Sequence, residues 1–189
     1  MRQHVNPLSK NFKELDPIPP LNQIFENTNL PLHLDIGCAS GNFLIELALT
    51  NKNWNYLGIE IREKLVQYGN NRLKDQEIKN LYLAFGNANN ILLDSRHKFL
   101  FYCLKSISFN FPDPWFKKKH HKRRVIQKEL INRLSSVLQT GTLIYLKTDV
   151  KELFEYMGTT ILDNNNFRQK DTLNLNLSKS FNPNTIKTN

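Results

Sequence analysis

The chain has 189 residues, 40% of them hydrophobic and 11% aromatic, which is enough for one buried core and excludes a disordered or fibrous protein. Its formal charge is +9, and the eight residues Lys117 to Arg124 carry six of those charges; without them the chain would stand at +3. Basicity this local points to an anionic partner such as a nucleic acid rather than to a general surface property. Two cysteines, Cys38 and Cys103, exclude a disulfide framework and a cysteine-based metal knuckle. No apolar run approaches the roughly 18 residues needed to cross a bilayer, and the first twenty residues lack the apolar core of a signal peptide. A soluble, cytoplasmic protein is expected.

Residues 1–20 are polar and carry Pro7, Pro17, Pro19 and Pro20, which predicts an extended arm outside the core. Residues 21–189 are expected to form a single domain. A short helix is expected over 21–29, then a buried strand over Leu32–Ile36, a tight loop Gly37–Gly41, and an amphipathic helix over Asn42–Asn51. A second strand ends at Glu60, a helix covers 62–75, and a third strand, Leu81–Phe85, runs into Gly86-Asn87-Ala88. Ser106–Phe111 alternates as a fourth strand, Arg124–Leu138 reads as a helix closed by Gly141, and Leu143–Lys147 is a fifth strand. Thr172–Leu177 alternates and predicts a sixth strand, and Pro183–Asn189 reads as a loop.

Alternating β and α units imply a doubly wound, mostly parallel α/β sheet, whose ligands bind beyond the carboxyl ends of the strands. Asp35, Glu60, Asn87, Asp113 and Asp149 all fall in or just after such ends, so they are expected to line one crevice. Any one of them taken alone is equally a helix cap. Gly37 and Gly41 permit turns and close approach of a ligand, and Glu60 stands where a carboxylate can accept both hydroxyls of a ribose. Asn87 can offer its amide to a base edge.

The loop Asp35-Ile36-Gly37-Cys38-Ala39-Ser40-Gly41 resembles motif I of the Rossmann-like methyltransferases. The competing reading, a nicotinamide or flavin dinucleotide site, expects G-x-G-x-x-G and a helix end receiving a pyrophosphate. An acid at the mouth of the loop suits the sulfonium and amino groups of S-adenosylmethionine better than a diphosphate.

Phe111-Pro112-Asp113-Pro114-Trp115-Phe116, the basic run behind it, Lys147-Thr148-Asp149 and Leu153-Phe154-Glu155-Tyr156 together resemble the signature of the tRNA (guanine-N7)-methyltransferases. Arg2 to Leu8 resembles the arm of their cyanobacterial members. The resemblance implies the class I methyltransferase fold, S-adenosylmethionine as methyl donor and tRNA as substrate. It places Asp35, Gly37, Glu60, Asn87 and Asp113 at the donor, with Asp113 also as the catalytic residue, and Lys117 and Asp149 at the RNA. Lys118, Lys119, Lys122, Arg123 and Arg124 are candidates for the phosphate backbone. Trp115 either stacks on a base or packs in the core. His120 and His121 are expected as polar contacts, not metal ligands.

Two departures stand out. Ala39 occupies a loop position where many such motifs have glycine. The family also continues into a Thr-x-x-Glu-type motif and a seventh strand inserted beside the fifth. Here the sheet is expected to lack that strand, leaving the domain incomplete at its C-terminal end, with the fifth strand's edge unpaired. The alternative activity is a non-catalytic RNA binder with a vestigial nucleoside pocket.

Overall fold

Short apolar runs rich in branched and aromatic residues form a central sheet because each can be covered on both faces. The computed structural model describes residues 5–12, 18–170 and 184–188. Within them β1 (Leu32–Ile36), β2 (Asn55–Glu60), β3 (Leu81–Phe85), β4 (Leu104–Asn110) and β5 (Leu143–Lys147) lie parallel in the order β3-β2-β1-β4-β5. The chain leaves β1 toward β2 on one side and returns to β4 on the other. The crevice between the ends of β1 and β4 is therefore the point where strand order reverses, the usual ligand position in such sheets.

Helices cover both faces. On one, α2 (Asn42–Thr50) and α3 (Glu63–Asp75) bury Leu44, Ala48, Val66 and Leu73 with Leu81 and Leu83 of β3. On the other, α6 (Lys128–Val137) and α7 (Lys151–Leu162) bury Leu130, Leu134, Leu153 and Met157, joined by Ile91 and Leu92 of α4 (Ala88–Leu93). Two shorter helices, α1 (Leu21–Ile24) and α5 (Leu100–Cys103), complete the set among the described residues. Spacing of three to four residues puts each apolar set on one helix face. Leu134 is fully buried, so Leu134→Ala would cost about 2–5 kcal/mol.

Three expectations need correction. The helix expected from Arg124 begins at Lys128; Lys118–Arg123 form a 3₁₀ helix and Arg124 is extended at its end. The arm is not outside the core, because Phe12 and Ile18 are buried and the Phe12 ring meets Phe85 edge-on at 6.2 Å. The sheet does not lack its last strand. A seventh strand, β7 (Asn184–Thr188), runs antiparallel between β5 and β6 (Phe167–Gln169), pairing Ile144 with Ile186 and Phe167 with Thr188.

The seventh strand was hidden because Asn-Thr-Ile-Lys-Thr has no apolar alternation of its own. Its β-branched residues suit a strand, but its partners' backbones decide the matter. The expected strand over 172–177 lies outside the described residues.

Candidate active site

A cleft open on one side lies at the carboxyl ends of the parallel strands. Its wall includes Gly37 after β1, Glu60 at the end of β2 and Arg62 just after it, Asn87 after β3, and Asp113, Trp115 and Arg123 after β4; Val5 and Pro7 of the arm close one side. Of the five polar residues expected to line one crevice, Glu60, Asn87 and Asp113 do so. Asp35 and Asp149 are not part of the described lining: Asp35 is buried behind it and Asp149 is exposed.

The loop after β1 is built around positive φ angles. Gly37 has φ +82° and its N–H donates to Ile59 at 2.8 Å; a Cβ built there would meet nothing within 4 Å. The glycine thus leaves bare backbone facing cleft space. Ala39 holds φ +52°, a region that side chains rarely adopt, and donates its N–H to Glu60 Oε2 at 2.9 Å.

Glu60 is itself buried and fully engaged. Oε1 accepts from the Arg62 N–H at 3.0 Å and from Arg62 Nε at 2.9 Å, while Oε2 accepts from Arg62 Nη2 at 3.1 Å as well as from Ala39. Asn87 is also committed. Its Oδ1 caps α4 by accepting from the Asn89 N–H at 2.9 Å, and its amide donates to the Pro7 carbonyl at 2.8 Å. The amide that the sequence offered to a base edge instead ties down the arm.

Asp35 accepts on Oδ1 from Ser108 Oγ at 2.6 Å and from the Asn110 amide at 3.0 Å. Burial pushes its carboxyl up to about 6; the bonds from Ser108 and Asn110 oppose that shift and the neighbouring Glu60 adds to it. Behind it, His33 Nε2 lies 3.0 Å from Ser108 Oγ and Nδ1 lies 2.7 Å from Ser106 Oγ. The sequence held a sign of this cluster. The alternation that turns Ile107 and Phe109 to one face of β4 turns Ser106, Ser108 and Asn110 to the other, beside His33 and Asp35 in register.

The turn carrying Asp113 is held from several directions. Phe111 and Trp115, which bracket Pro112-Asp113-Pro114, have φ +49° and +46°, conformations that cost about 1–3 kcal/mol each for such residues and cluster at functional sites. The Phe111 N–H donates to the Lys147 carbonyl at 2.7 Å. Arg124 Nε donates to the Pro114 carbonyl at 2.9 Å, its guanidinium lies 4.5 Å from the Tyr156 ring centroid, and Nη2 reaches Glu152 at 3.2 Å.

Arg124 is only 3% exposed. It braces the Asp113 turn and is not available to a phosphate, which corrects its place among the RNA contacts. Trp115 is half-buried on the cleft wall, with Arg123 5.1 Å from its ring and His120 packed edge-on. Lys117, Lys118, Lys119 and Lys122 are exposed. Arg123 is half-buried, and its Nε has no partner among the described residues.

The family model described as "Putative methyltransferase" matches residues 29–189. A tRNA (guanine-N(7)-)-methyltransferase from Prochlorococcus marinus subsp. pastoris is 62% identical over 189 residues, all of this chain and 90% of the relative. The chain belongs to the tRNA (guanine-N7)-methyltransferase family. A second relative of the same name, from Prochlorococcus marinus strain MIT 9515, is 64% identical over 188 residues and 89% covered. Among solved structures, a precorrin-6y C5,15-methyltransferase from Geobacter metallireducens superposes with TM-score 0.55 at 16% identity, over 87% of this chain and 81% of that one. At that identity the likeness establishes the Rossmann-like fold. No helix of the described residues is long and apolar enough to cross a membrane. No group of three or more His, Cys, Asp or Glu is gathered as a metal site among them.

Proposed function

We propose that this protein transfers the methyl group of S-adenosylmethionine to N7 of a guanine in tRNA, with residues 21–189 as one catalytic domain and residues 1–20 as its N-terminal arm. The observation that carries the reading is the meeting, in one cleft, of the Gly37 loop, the buried Glu60 and the strained Asp113 turn. Acting on tRNA, the protein works in the cytoplasm.

The residues present suit such a donor. Gly37 leaves open space in the wall where a Cβ would stand, Glu60 is a buried carboxylate at the end of β2, and Asp35 is a carboxylate behind the same loop. Bound there, S-adenosylmethionine supplies an electrophilic methyl on a sulfonium centre. Guanine N7 has a lone pair and no proton, so Asp113 need not act as a base. Asp113 orients the guanine through its N–H groups and offsets the positive charge that develops on the base. Pro112, Pro114 and the Arg124 brace keep that carboxylate from relaxing. The exposed lysines Lys117, Lys118, Lys119 and Lys122 attract tRNA phosphates, and Arg123 lies where the basic run meets the cleft. Asp149, exposed outside the cleft, would accept from a base; its charge would repel a phosphate.

The deciding experiment is transfer from labelled S-adenosylmethionine to unmodified tRNA, with the product mapped by mass spectrometry. Label at guanine N7, lost in Asp113→Ala while tRNA affinity stays, is the expected result. Donor and tRNA binding without transfer would leave only an RNA-binding scaffold.

A further inference from the structure

We propose that His33, Ser106 and Ser108 are positioning residues, forming a buried hydrogen-bond relay that orients Asp35 toward the donor and couples it to the turn carrying Asp113. The proposal rests on the reading of Asp35 as a donor-side carboxylate.

The relay runs between adjacent parallel strands, His33 and Asp35 on β1 and the two serines on β4. All four residues are at most 5% exposed. Bonding fixes its direction. Ser108 has one proton and donates it to Asp35 Oδ1 at 2.6 Å, so at 3.0 Å from His33 Nε2 it must accept. Nε2 therefore carries the imidazole proton, and Nδ1 accepts from Ser106 Oγ at 2.7 Å. The ring is flanked edge-on by Phe43 and Tyr56 at 6.3 and 6.1 Å, so it has little freedom to turn. Burial holds its basicity down to a pKa of about 3, which keeps the ring neutral at any working pH, so the polarity holds wherever Asp35 is ionised.

Apolar residues in these places would give an ordinary parallel-sheet core without the desolvation cost of four polar groups. The relay's outlet is Asp35, where both bonds fall on Oδ1, one from Ser108 and one from Asn110. Asn110 immediately precedes Phe111 and the Asp113 turn. The oxygen that fixes Asp35 is thus also the one that anchors the start of that turn.

The titratable groups around Asp35 are Glu60 at the end of β2 with Arg62 on its carboxylate, the Cys38 thiol in the loop, and neutral His33 on its own strand; β4 presents Ser108 and Asn110. Loss of the Ser108 bond leaves Asp35 less able to stay ionised. A donor bearing cationic groups would then lose affinity at a higher pH than in the native protein.

The test is calorimetric titration of the full chain with S-adenosylmethionine from pH 5 to 8. In the native protein the affinity should weaken as pH falls through about 6. Ser108→Ala should move that midpoint upward and weaken binding at pH 6 by about tenfold. Ser108→Thr, which keeps the hydroxyl, should restore it, and His33→Leu should shift it the same way by less. A Ser108→Ala midpoint that stays put, while Asp35→Asn removes the limb, overturns the relay. An Asp35→Asn protein that binds as the native one does overturns the reading of Asp35 instead. Melting curves confirm folding, and His33→Leu carries the comparison should Ser108→Ala not fold.

Discussion

Arg62 lies across the carboxylate of Glu60, with Nε 2.9 Å from Oε1 and Nη2 3.1 Å from Oε2. With the backbone N–H groups of Arg62 and Ala39, all four lone-pair positions of this buried carboxylate are taken. On the proposed reading of Glu60 as the ribose carboxylate, two hydroxyls would be accepted only by displacing the guanidinium, whose side chain is 32% exposed and has solvent to move into.

Arg62→Ala should therefore tighten binding of S-adenosylmethionine a few-fold, because the competing pair is gone. It should also lower stability without donor by about 2–3 kcal/mol, because the buried Glu60 carboxylate would keep only its two backbone N–H bonds. Calorimetry and melting on the same preparation check both. Weaker binding would mean that the guanidinium remains and contributes to the donor site.

The basic run divides into two functions that one pair of measurements separates. Changing Lys118, Lys119 and Lys122 together to Gln should weaken tRNA binding and reduce the slope of log affinity against log salt by about 2–3, with the melting temperature unchanged. Arg124→Ala should instead lower stability by about 1–3 kcal/mol, because it strips the Pro114 carbonyl of its donor; the exposed Glu152 loses little. Its methyl transfer should fall through loss of the Asp113 turn, with the salt slope retained. A flattened slope in Arg124→Ala would return it to the RNA face.

This division shows what was legible in the sequence. The five parallel strands and the polar residues at their ends were readable because a buried strand is mostly apolar and turns polar where it meets the crevice; the buried polar residues inside β1 and β4 are the exception. Glu60, Asn87 and Asp113 follow from that rule alone. Arg124 is not readable as a brace because six cations within eight residues look alike until the 3₁₀ turn at Lys118–Arg123 sends one of them inward. β7 was missed because its pairing, not its composition, makes it a strand. The Asn87 amide looked available because nothing in the sequence announces that the Pro7 carbonyl will lie 2.8 Å away.

Ala39 offers a test of stored strain. Its φ of +52° is one that glycine adopts freely, and the sequence shows alanine where related loops carry glycine. Ala39→Gly should stabilise the folded protein by up to about 1 kcal/mol, the left-handed penalty less the entropy that glycine gains when unfolded. Its N–H to Glu60 should survive, so donor affinity should change less than twofold. Chemical denaturation with donor titration reads both. A destabilised variant would show that the alanine methyl is packed usefully.

The buried pair His33 and Asp35 makes opposite demands on stability as pH changes. Asp35 titrates near 6 in the folded chain instead of 3.8, so the folded state holds its proton more tightly; this stabilises the fold at low pH and is lost as pH rises through 6. His33 titrates near 3 instead of 6.5, so the unfolded state takes up its proton first, and stability falls as pH drops below 6.5. Between about pH 4 and 6 the two slopes oppose each other. Removing one should expose the other.

Asp35→Asn should raise donor-free stability at pH 8 by up to about 3 kcal/mol, and that gain should shrink toward zero near pH 4. His33→Leu should do the reverse, gaining on the native protein only as pH falls below 6.5. Thermal melts of the three proteins from pH 4 to 8 decide it, and differences independent of pH would show that neither group titrates as its burial requires. A stability gain in Asp35→Asn together with lost donor affinity would mean that the native fold tolerates a buried charge for the sake of the ligand it receives.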